Sequence, residues 1–176
     1  MIYFVRHGLS ESNVKRIFAG QKDDSLLTEQ GKEEARRIGR EILKECIFID
    51  KIVSSPAKRA VETAQLIANE IKIDPSKIIF DKRINDYDMG DLAGTPWRSI
   101  ASSELIKVKG AEDINNFYNR VYSCLKDLSN LEGNILIVSH GSVGRILESI
   151  KEKKDISLFY DLPIYSNTII NKIDWI

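Results

Sequence analysis

The chain has 176 residues, of which 26 are basic and 26 are acidic, so its formal net charge is zero. No overall electrostatic field therefore favours binding to nucleic acid or to an anionic membrane surface, and any site for an anion must be local. This length supports one good core. Because no change of composition and no linker divides the sequence, we expect a single domain over residues 1–176.

The sequence also indicates the compartment. Cys46 and Cys124 are the only cysteines, and each lies in a stretch that reads as helical, which favours reduced thiols in a cytosol over a disulfide framework. Residues 1–5 are too short for the apolar part of a secretory signal, and no apolar run approaches the length that spans a membrane. We therefore expect a soluble, cytoplasmic protein without a Cys-rich metal cluster.

Short β-branched or aromatic runs alternate along the chain with longer segments of helical period. This alternation is typical of an α/β domain with a mostly parallel central sheet. The first and fourth runs are almost wholly apolar, which predicts central positions for them, and the last could be an edge strand. The predicted strands cover residues 2–5, 49–53, 78–80, 135–138 and 168–173.

Four helices are predicted between these strands. The first follows Thr28, and the second contains apolar residues at helical spacing from Ala60 onward. The third follows Gly110, where Glu112 and Asp113 supply the negative charge that a helix N-terminus favours. The fourth begins near Ser142 and ends in a charged stretch at 151–154.

Both of the chain's two histidines stand at the end of an apolar strand and are followed by glycine, as His7-Gly8 and His140-Gly141. In an open α/β sheet, ligands bind beyond the carboxyl ends of the strands, so both imidazoles are expected at one rim. The glycines let the backbone approach a ligand closely. Core packing needs neither an imidazole nor the glycine beside it, so the repeated pattern favours a functional role.

Residues 54–60 read Ser-Ser-Pro-Ala-Lys-Arg-Ala and predict the start of a helix, with Ser55 as the N-cap and Pro56 as the first helical residue. Arg59 alone reads as a surface arginine, but in this first turn it can reach the same rim. Guanidinium groups match phosphoryl oxygens bidentately, a helix N-terminus favours an anion, and a neutral imidazole can attack phosphorus. We therefore expect Arg6, Arg59 and the two histidines to form a phosphoryl site.

A zinc site is the main chemical alternative, because imidazole is a common zinc ligand. Two histidines leave at least one further ligand to find, and no other residues have ligand spacing. Asp23 and Asp24 are more simply interpreted as solvated charges in a loop. The Gly-rich phosphate loops of nucleotide-binding proteins are also missing from the sequence, so we expect neither a metal ion nor a cofactor.

Four motifs in order resemble the histidine phosphatase superfamily, the group that includes the cofactor-dependent phosphoglycerate mutases and the fructose-2,6-bisphosphatases. The similarity covers nearly the whole chain. It implies a phosphoglycerate mutase-like fold, a three-layer α/β sandwich in which helices flank a mostly parallel sheet. The motifs are Arg-His-Gly-Leu-Ser-Glu-Ser-Asn at 6–13, Leu-Thr-Glu-Gln-Gly at 27–31, Ser-Ser-Pro-Ala-Lys-Arg-Ala-Val-Glu-Thr-Ala at 54–64 and Ser-His-Gly at 139–141.

The resemblance also implies roles for the site residues. His7 would be the nucleophile, while two arginines and the second histidine would hold the phosphoryl oxygens and stabilise the charge of the transferring group. An asparagine would contribute a further donor. The residues implied to bind the phosphate or the substrate are Arg6, Asn13, Arg59, His140 and Gly141.

The proton donor departs from the family pattern. The family's Leu-x-Glu-x-x-x-Gly segment corresponds to residues 84–90, where the glutamate position carries Asp86, one methylene shorter. Either the backbone lies closer to the site, or Asp88 or water shares the role. A second acidic position of many relatives is occupied here by Ala93.

We expect a ping-pong reaction in which neutral His7 attacks a phosphate monoester and Asp86 protonates the leaving alkoxide, before water attacks the phosphohistidine. The cations Arg6 and Arg59 should favour the neutral imidazole. Three functions remain possible: a phosphatase, a mutase that returns the phosphoryl group to its substrate, and a regulatory module that binds phosphate without turnover. The family's mutases carry a longer insert than the stretch at 95–110, which favours the phosphatase.

The sequence does not identify the substrate. Residues 97–109 are expected to lie over the pocket, where Lys107 and Lys109 could meet a second anionic group, although solvation in a loop is the preferred interpretation. A phosphorylated small molecule is the expected partner, and no nucleic-acid site is evident. Sugar phosphates, nucleotides, a cobalamin precursor and a phosphorylated protein are the candidates.

Overall fold

A computed structural model describes residues 1–98, 102–105 and 107–174. In this part of the chain the strands form one sheet in the order β3-β2-β4-β1-β5. Strand β5 pairs antiparallel with β1, and the other neighbours are parallel, which confirms the predicted α/β fold. The strands are β1 (Ile2–Arg6), β2 (Lys51–Ser54), β3 (Ile79–Phe80), β4 (Ile135–Ser139) and β5 (Asn171–Ile173).

The two most apolar strands occupy the middle of the sheet. Every residue of β4 is buried, and β1 lies beside it. The last strand is at an edge, as predicted, but it begins at Asn171 rather than at residue 168. The reason is that Thr168 adopts a left-handed conformation with φ 51°, which an extended strand cannot contain.

Helices cover both faces of the sheet and complete the three layers. One face packs α2 and α3 in a core that includes Val5 and Leu136, and the other packs α5 and α6 in a core that includes Phe4 and Ile137. None of the described helices is long and apolar enough to cross a membrane. The helices are α1 (Glu11–Lys15), α2 (Glu29–Lys44), α3 (Lys58–Glu70), α4 (Ser102–Leu105), α5 (Ile114–Ser129) and α6 (Gly141–Glu152).

Side-chain caps explain where two of the predicted helices begin. The Thr28 hydroxyl accepts a hydrogen bond from the backbone N–H of Gly31 at 3.0 Å, and Gly31 can have no side chain, because a Cβ there would lie 2.1 Å from the carbonyl oxygen of Leu9. Asp113 caps α5 through the N–H groups of its first turn. The start of α2 is thereby held against the loop that follows His7.

The predicted start of α3 is wrong by two residues. The helix begins at Lys58, and its N-cap Ala57 has no capping side chain. Pro56 precedes the helix, and the Ser55 hydroxyl, although 3.3 Å from the Ala57 N–H, is also 2.7 Å from Nε2 of His140. The side chain interpreted as a helix cap therefore belongs to the histidine site.

Candidate active site

The two His-Gly sequences meet at the carboxyl end of the sheet. Strands β1 and β4 are in register up to Arg6 opposite Ser139, so the chain leaves both strands at the same level. The rings of His7 and His140 lie edge to face with 5.3 Å between their centroids, and both residues are buried. Parallel pairing of two central strands thus brings the two imidazoles together.

Hydrogen bonds define the tautomer of His7. Its Nδ1 lies 2.8 Å from the carbonyl oxygen of Gly8, which can only accept, so Nδ1 carries the hydrogen. The guanidinium Nε of Arg59, which can only donate, lies 3.3 Å from Nε2 of His7. The imidazole is therefore neutral, and its Nε2 presents a lone pair.

Arg59 joins the site to two neighbouring loops. The residue is fully buried. Besides its bond to His7, its Nη2 donates to Asp86 Oδ2 at 2.7 Å and to the Gly20 carbonyl at 3.2 Å. Its Nη1 donates to the carbonyl oxygen of Asp23 at 3.0 Å and to the carboxylate of the same residue at 3.2 Å. Each nitrogen of the guanidinium thus has a partner, as burial of a charge requires.

Asp23 is not the solvated loop charge that the sequence indicated. Its side chain is only 15% exposed and forms an ion pair with Arg59. Its neighbour Asp24 matches that interpretation, since its side chain is 82% exposed and pairs with Lys58 on the surface. The two aspartates are adjacent in a loop and differ only in the direction of their side chains.

Asp86 is the acidic residue that faces the histidines. Its Oδ1 accepts a hydrogen bond from the Ser142 hydroxyl at 2.5 Å, and its Oδ2 lies 3.6 Å from Nδ1 of His140. Asp88, the alternative left open by the sequence, instead accepts from the N–H of Gly90 at 3.0 Å and is not among the described residues that line the cavity. The shorter side chain at 86 therefore reaches the site.

Arg6 lies across the start of α6. Its Nη1 donates to the carbonyl oxygen of Tyr165 at 3.2 Å. A Cβ on Gly141 would lie 3.3 Å from the guanidinium of Arg6 and 2.8 Å from the side chain of Ile164. Glycine at position 141 therefore allows the arginine to pass close to the helix N-terminus.

Asn13 combines a helix cap with a place in the cavity wall. Its Oδ1 accepts from the Ser10 N–H at 3.2 Å, while the Ser10 hydroxyl accepts from the Asn13 N–H at 3.4 Å. This reciprocal cap holds the short helix α1. Because Oδ1 is used, the amide nitrogen of Asn13 is the group available to the cavity that the residue lines.

A cavity of about 550 Å³ opens over His7. Of the predicted site residues, Arg59 and His140 are not among its described lining residues and lie directly behind His7 and Asp86. The predicted residues in the wall are Arg6, His7, Asn13, Asp86 and Gly141, and they are joined there by Arg16, Trp97, Ser142, Arg145, Tyr160 and Tyr165.

Part of the segment predicted to cover the pocket, 97–109, is described. Trp97 lines the cavity, whereas residues 99–101 and 106 lie outside the described residues. Lys107 and Lys109 are exposed, and neither is among the lining residues that the structure describes. Their interpretation as solvated loop charges agrees with this placement.

Two buried polar atoms in the site have no hydrogen-bond partner among the described residues: Nε of Arg6 and Nδ1 of His140. The other ring nitrogen of His140 is 2.7 Å from the Ser55 hydroxyl, which donates in turn to Asn85 at 3.1 Å. Buried polar groups are rarely left without a partner in native proteins. Both atoms lie beside His7, on the residue that precedes it and on the histidine whose ring packs against it.

A family model described as "Histidine phosphatase superfamily (branch 1)" matches residues 2–176. The chain belongs to the histidine phosphatase superfamily. This membership confirms the resemblance carried by the four motifs.

Known proteins of two activities are similar to this chain. A 2,3-bisphosphoglycerate-dependent phosphoglycerate mutase of Azorhizobium caulinodans is 39% identical over 94 residues, which cover 53% of this chain and less than half, 45%, of the mutase. The broad-specificity phosphatase YOR283W of Saccharomyces cerevisiae is 29% identical over 160 residues, or 83% of this chain and 67% of that protein. The solved structure of Bacillus stearothermophilus YhfR superposes with a TM-score of 0.82 and 25% identity, covering 99% of this chain and 91% of that one.

The zinc alternative lacks further ligands among the described residues of this chain. Within residues 1–98, 102–105 and 107–174, no three His, Cys, Asp or Glu side chains converge in a way that could hold a metal ion. The carboxylate nearest to the two histidines, Asp86, is engaged by Arg59 and Ser142. Arginines, rather than further metal ligands, surround the imidazoles.

Burial and positive charge keep both imidazoles neutral. Burial lowers the pKa of His7 well below its ordinary value, and the charges of Arg59 and Arg6 lower it further. Burial likewise lowers the pKa of His140, with additional contributions from Arg59 and Arg6. The lone pair of His7 is therefore retained at pH values well below neutrality.

This pKa shift predicts that the protein loses stability in mild acid. Below about pH 6.5 the unfolded chain binds a proton on each histidine and the folded protein does not, so lowering the pH from about 7.5 to about 5.5 should remove about 1.4 kcal/mol of unfolding free energy per histidine. Urea unfolding at both pH values measures this loss. The His7→Gln variant, with one titrating imidazole fewer, should lose about half as much, and equal stability of the wild type at the two pH values would contradict the shift.

The C-terminal segment supplies contacts that the sequence did not indicate. Asn167 Nδ2 donates to the carbonyl oxygen of His7 at 2.5 Å, and the Thr168 N–H donates to that of Arg6 at 3.1 Å. Together with the bond from Arg6 to the Tyr165 carbonyl, these bonds hold the backbone at the end of β1. No local pattern marks residues 165–168, because their partners lie at the other end of the chain.

Proposed function

We propose that this protein is a phosphatase that hydrolyses a phosphate monoester through a phosphohistidine on His7. The observation that carries the proposal is the lone pair on Nε2 of His7, which accepts a hydrogen bond from Nε of Arg59. His7 lies in the wall of a cavity that is also lined by Arg6, Arg16 and Arg145. A neutral imidazole in this state is a nucleophile for phosphorus, and the surrounding cations attract the phosphate.

In the first half-reaction, Nε2 of His7 attacks the phosphorus atom and the bond from phosphorus to the ester oxygen breaks. The leaving alkoxide takes a proton from the carboxyl group of Asp86, which the Ser142 hydroxyl and Arg59 hold beside the histidines. In the second half-reaction, Asp86 accepts a proton from a water molecule as that water attacks the phosphohistidine. Inorganic phosphate leaves and neutral His7 is restored.

The donors around His7 would stabilise the phosphoryl group as it transfers. Arg6 has a buried Nε without a partner in the described part of the chain, and Asn13 adds an amide to the cavity wall. Nδ1 of His140, which also has no partner there, would donate to a phosphoryl oxygen when the Ser55 hydroxyl donates to Nε2 of the ring instead of to Asn85. Gly141 lines the cavity at the start of α6, where the helix N-terminus would favour the phosphate. Arg59 would turn from Nε2 of His7 to the transferring oxygens, since the nitrogen that it now contacts becomes bonded to phosphorus.

Phosphoglycerate mutase-type transfer is the second candidate, because the mutase from Azorhizobium caulinodans has the higher identity of the two relatives. Hydrolysis is favoured because the similarity to the yeast phosphatase extends over 83% of this chain, against 53% for the mutase. We further propose that the enzyme works in the cytoplasm on a phosphorylated small molecule, which agrees with its two unpaired cysteines.

A screen of phosphate monoesters with the purified protein tests this function. We expect release of inorganic phosphate and, after rapid denaturation, a protein-bound phosphate that is lost in acid and kept in alkali. Because side chains and backbone groups supply all the proposed donors, turnover should survive an excess of chelator. Loss of activity with the chelator and its return with zinc would instead support a metal-dependent reaction.

A further inference from the structure

Arg145 is an arginine of the cavity that the proposed reaction does not use. It follows Gly141 by four residues on α6, so both lie on the same face of the helix, and both line the cavity. Its Nε donates to the carbonyl oxygen of Leu162 at 3.1 Å. Its guanidinium lies 4.5 Å from the ring centroid of Tyr160, so the side chain is held in place before any ligand binds.

The outer nitrogens of Arg145 are unused. Neither Nη1 nor Nη2 forms a hydrogen bond or an ion pair with any residue in the described part of the chain, whereas the guanidinium of Arg120 is bound by Glu112 and by three backbone carbonyl groups. Burial lowers the pKa of Arg145, and the nearby Tyr160 and Asp161 oppose that effect. An arginine remains charged under these conditions, so the cavity holds a positioned cation with free donors.

Arg145 is close enough to the phosphate site to affect it. Burial lowers the pKa of Arg6, and the positive charge of Arg145 lowers it further. Both arginines line one cavity. That cavity, at about 550 Å³, has the size of a site for a whole small molecule rather than for a phosphoryl group alone. One anion at Arg6 and a second at Arg145 would relieve the repulsion between the two cations.

We propose that Arg145 determines substrate specificity by binding a second anionic group, so that the substrate is a small phosphate monoester whose alcohol part carries a carboxylate or another phosphate. This inference rests on the proposed phosphatase function. The planar fork of the guanidinium pairs with either anion through two parallel hydrogen bonds. The face of Tyr160 beneath it excludes water from one side and strengthens the pair.

Matched pairs of esters test the inference. The first pair is 3-phosphoglycerate and glycerol 3-phosphate, which differ by a carboxylate, and the second is fructose 1,6-bisphosphate and fructose 1-phosphate, which differ by a phosphate. The wild type should prefer the member with the second anionic group in at least one pair. The pair that shows this preference identifies whether that group is a carboxylate or a phosphate. In Arg145→Gln, the ratio of the two kcat/KM values should fall roughly 10- to 100-fold.

Arg16→Gln is the matched control, because Arg16 lines the same cavity with an exposed side chain and its loss removes the same charge. Its ratio should change less than about threefold, in keeping with the weakness of exposed charges. Arg145→Lys, which keeps the charge but not the fork, should give an intermediate ratio. The inference would be overturned if the ratio of the two kcat/KM values were the same in the wild type and in Arg145→Gln. It would also be overturned if Arg16→Gln lowered that ratio as much as Arg145→Gln does. Neither result would contradict the proposed phosphatase function.

Binding separates this inference from the proposed function. In a His7→Ala background, calorimetry should show that the preferred ester with two anionic groups binds at least about tenfold more tightly than the ester of the same pair with the phosphate alone. Adding Arg145→Gln should remove that difference in affinity. If no ester is hydrolysed but this difference in affinity is found, the second anion site is supported and the proposed phosphatase function is contradicted. Equal affinities for both members of both pairs would overturn the second anion site. Thermal unfolding of each variant verifies that its fold is intact.

Discussion

Replacing His7 with alanine is expected to abolish phosphate release, with a fall in kcat of at least ~10⁴-fold, because the variant lacks the atom that forms the bond to phosphorus. The same variant should carry no acid-labile phosphate after incubation with a labelled ester. Steady-state release of phosphate and acid-quench labelling measure the two effects. Acid-labile phosphate found on another residue would contradict the role of His7.

Two further variants separate chemistry from folding in this experiment. The ring of His7 packs against His140 and Arg59 rather than in either apolar core, so its loss should spare the fold. Alanine nevertheless leaves Nε of Arg59 without its acceptor, at a cost of about 1–3 kcal/mol, and His7→Gln restores an acceptor without restoring the nucleophile. His140→Ala should be slow but still phosphorylated on His7.

Replacing Asp86 with asparagine is expected to slow hydrolysis in proportion to the need of the leaving group for a proton. An alkyl phosphate, whose alkoxide must be protonated, should lose ~10²- to 10⁴-fold in kcat/KM. With p-nitrophenyl phosphate, whose leaving group is stable as an anion, the loss should be below about tenfold. The ratio of the two losses is the measurement, and equal losses would mean that Asp86 acts through structure or binding.

Asp88→Asn is the matched control for this prediction. Its carboxylate accepts from the backbone N–H of Gly90 and contributes to a loop rather than to the described cavity wall. We expect small losses that are similar for the two esters. A leaving-group dependence in Asp88→Asn and none in Asp86→Asn would transfer the role of the acid to Asp88.

The predictable features of this protein were those encoded locally. Apolar runs predicted the central strands β1 and β4 because only wholly apolar segments can be buried on both faces of a sheet. The helical face after Thr28 and the negative charge of Asp113 indicated two helix starts, and in the structure both side chains cap N–H groups within three residues. The two strand-His-Gly patterns predicted that His7 and His140 would meet, since parallel strands end at one rim.

Other features depended on residues far apart in the chain. The Ser55 hydroxyl is recruited by His140, and the Asp23 carboxylate by the buried guanidinium of Arg59, so both residues differ from their local interpretation. The sequence left open whether Asp86 or Asp88 faces the histidines, and only the tertiary structure places Asp86 beside Arg59 and Ser142.

The sequence by itself determined the layers of the fold and the strand ends on which the histidines stand, because propensity, capping and apolar patterning act within a few residues. Only the tertiary structure decided which polar side chains surround His7, which tautomer it adopts, and that the segment at 165–168 holds its backbone. A buried donor or acceptor takes whichever partner the fold brings within about 3 Å. That partner has no periodicity in the sequence by which it could be found.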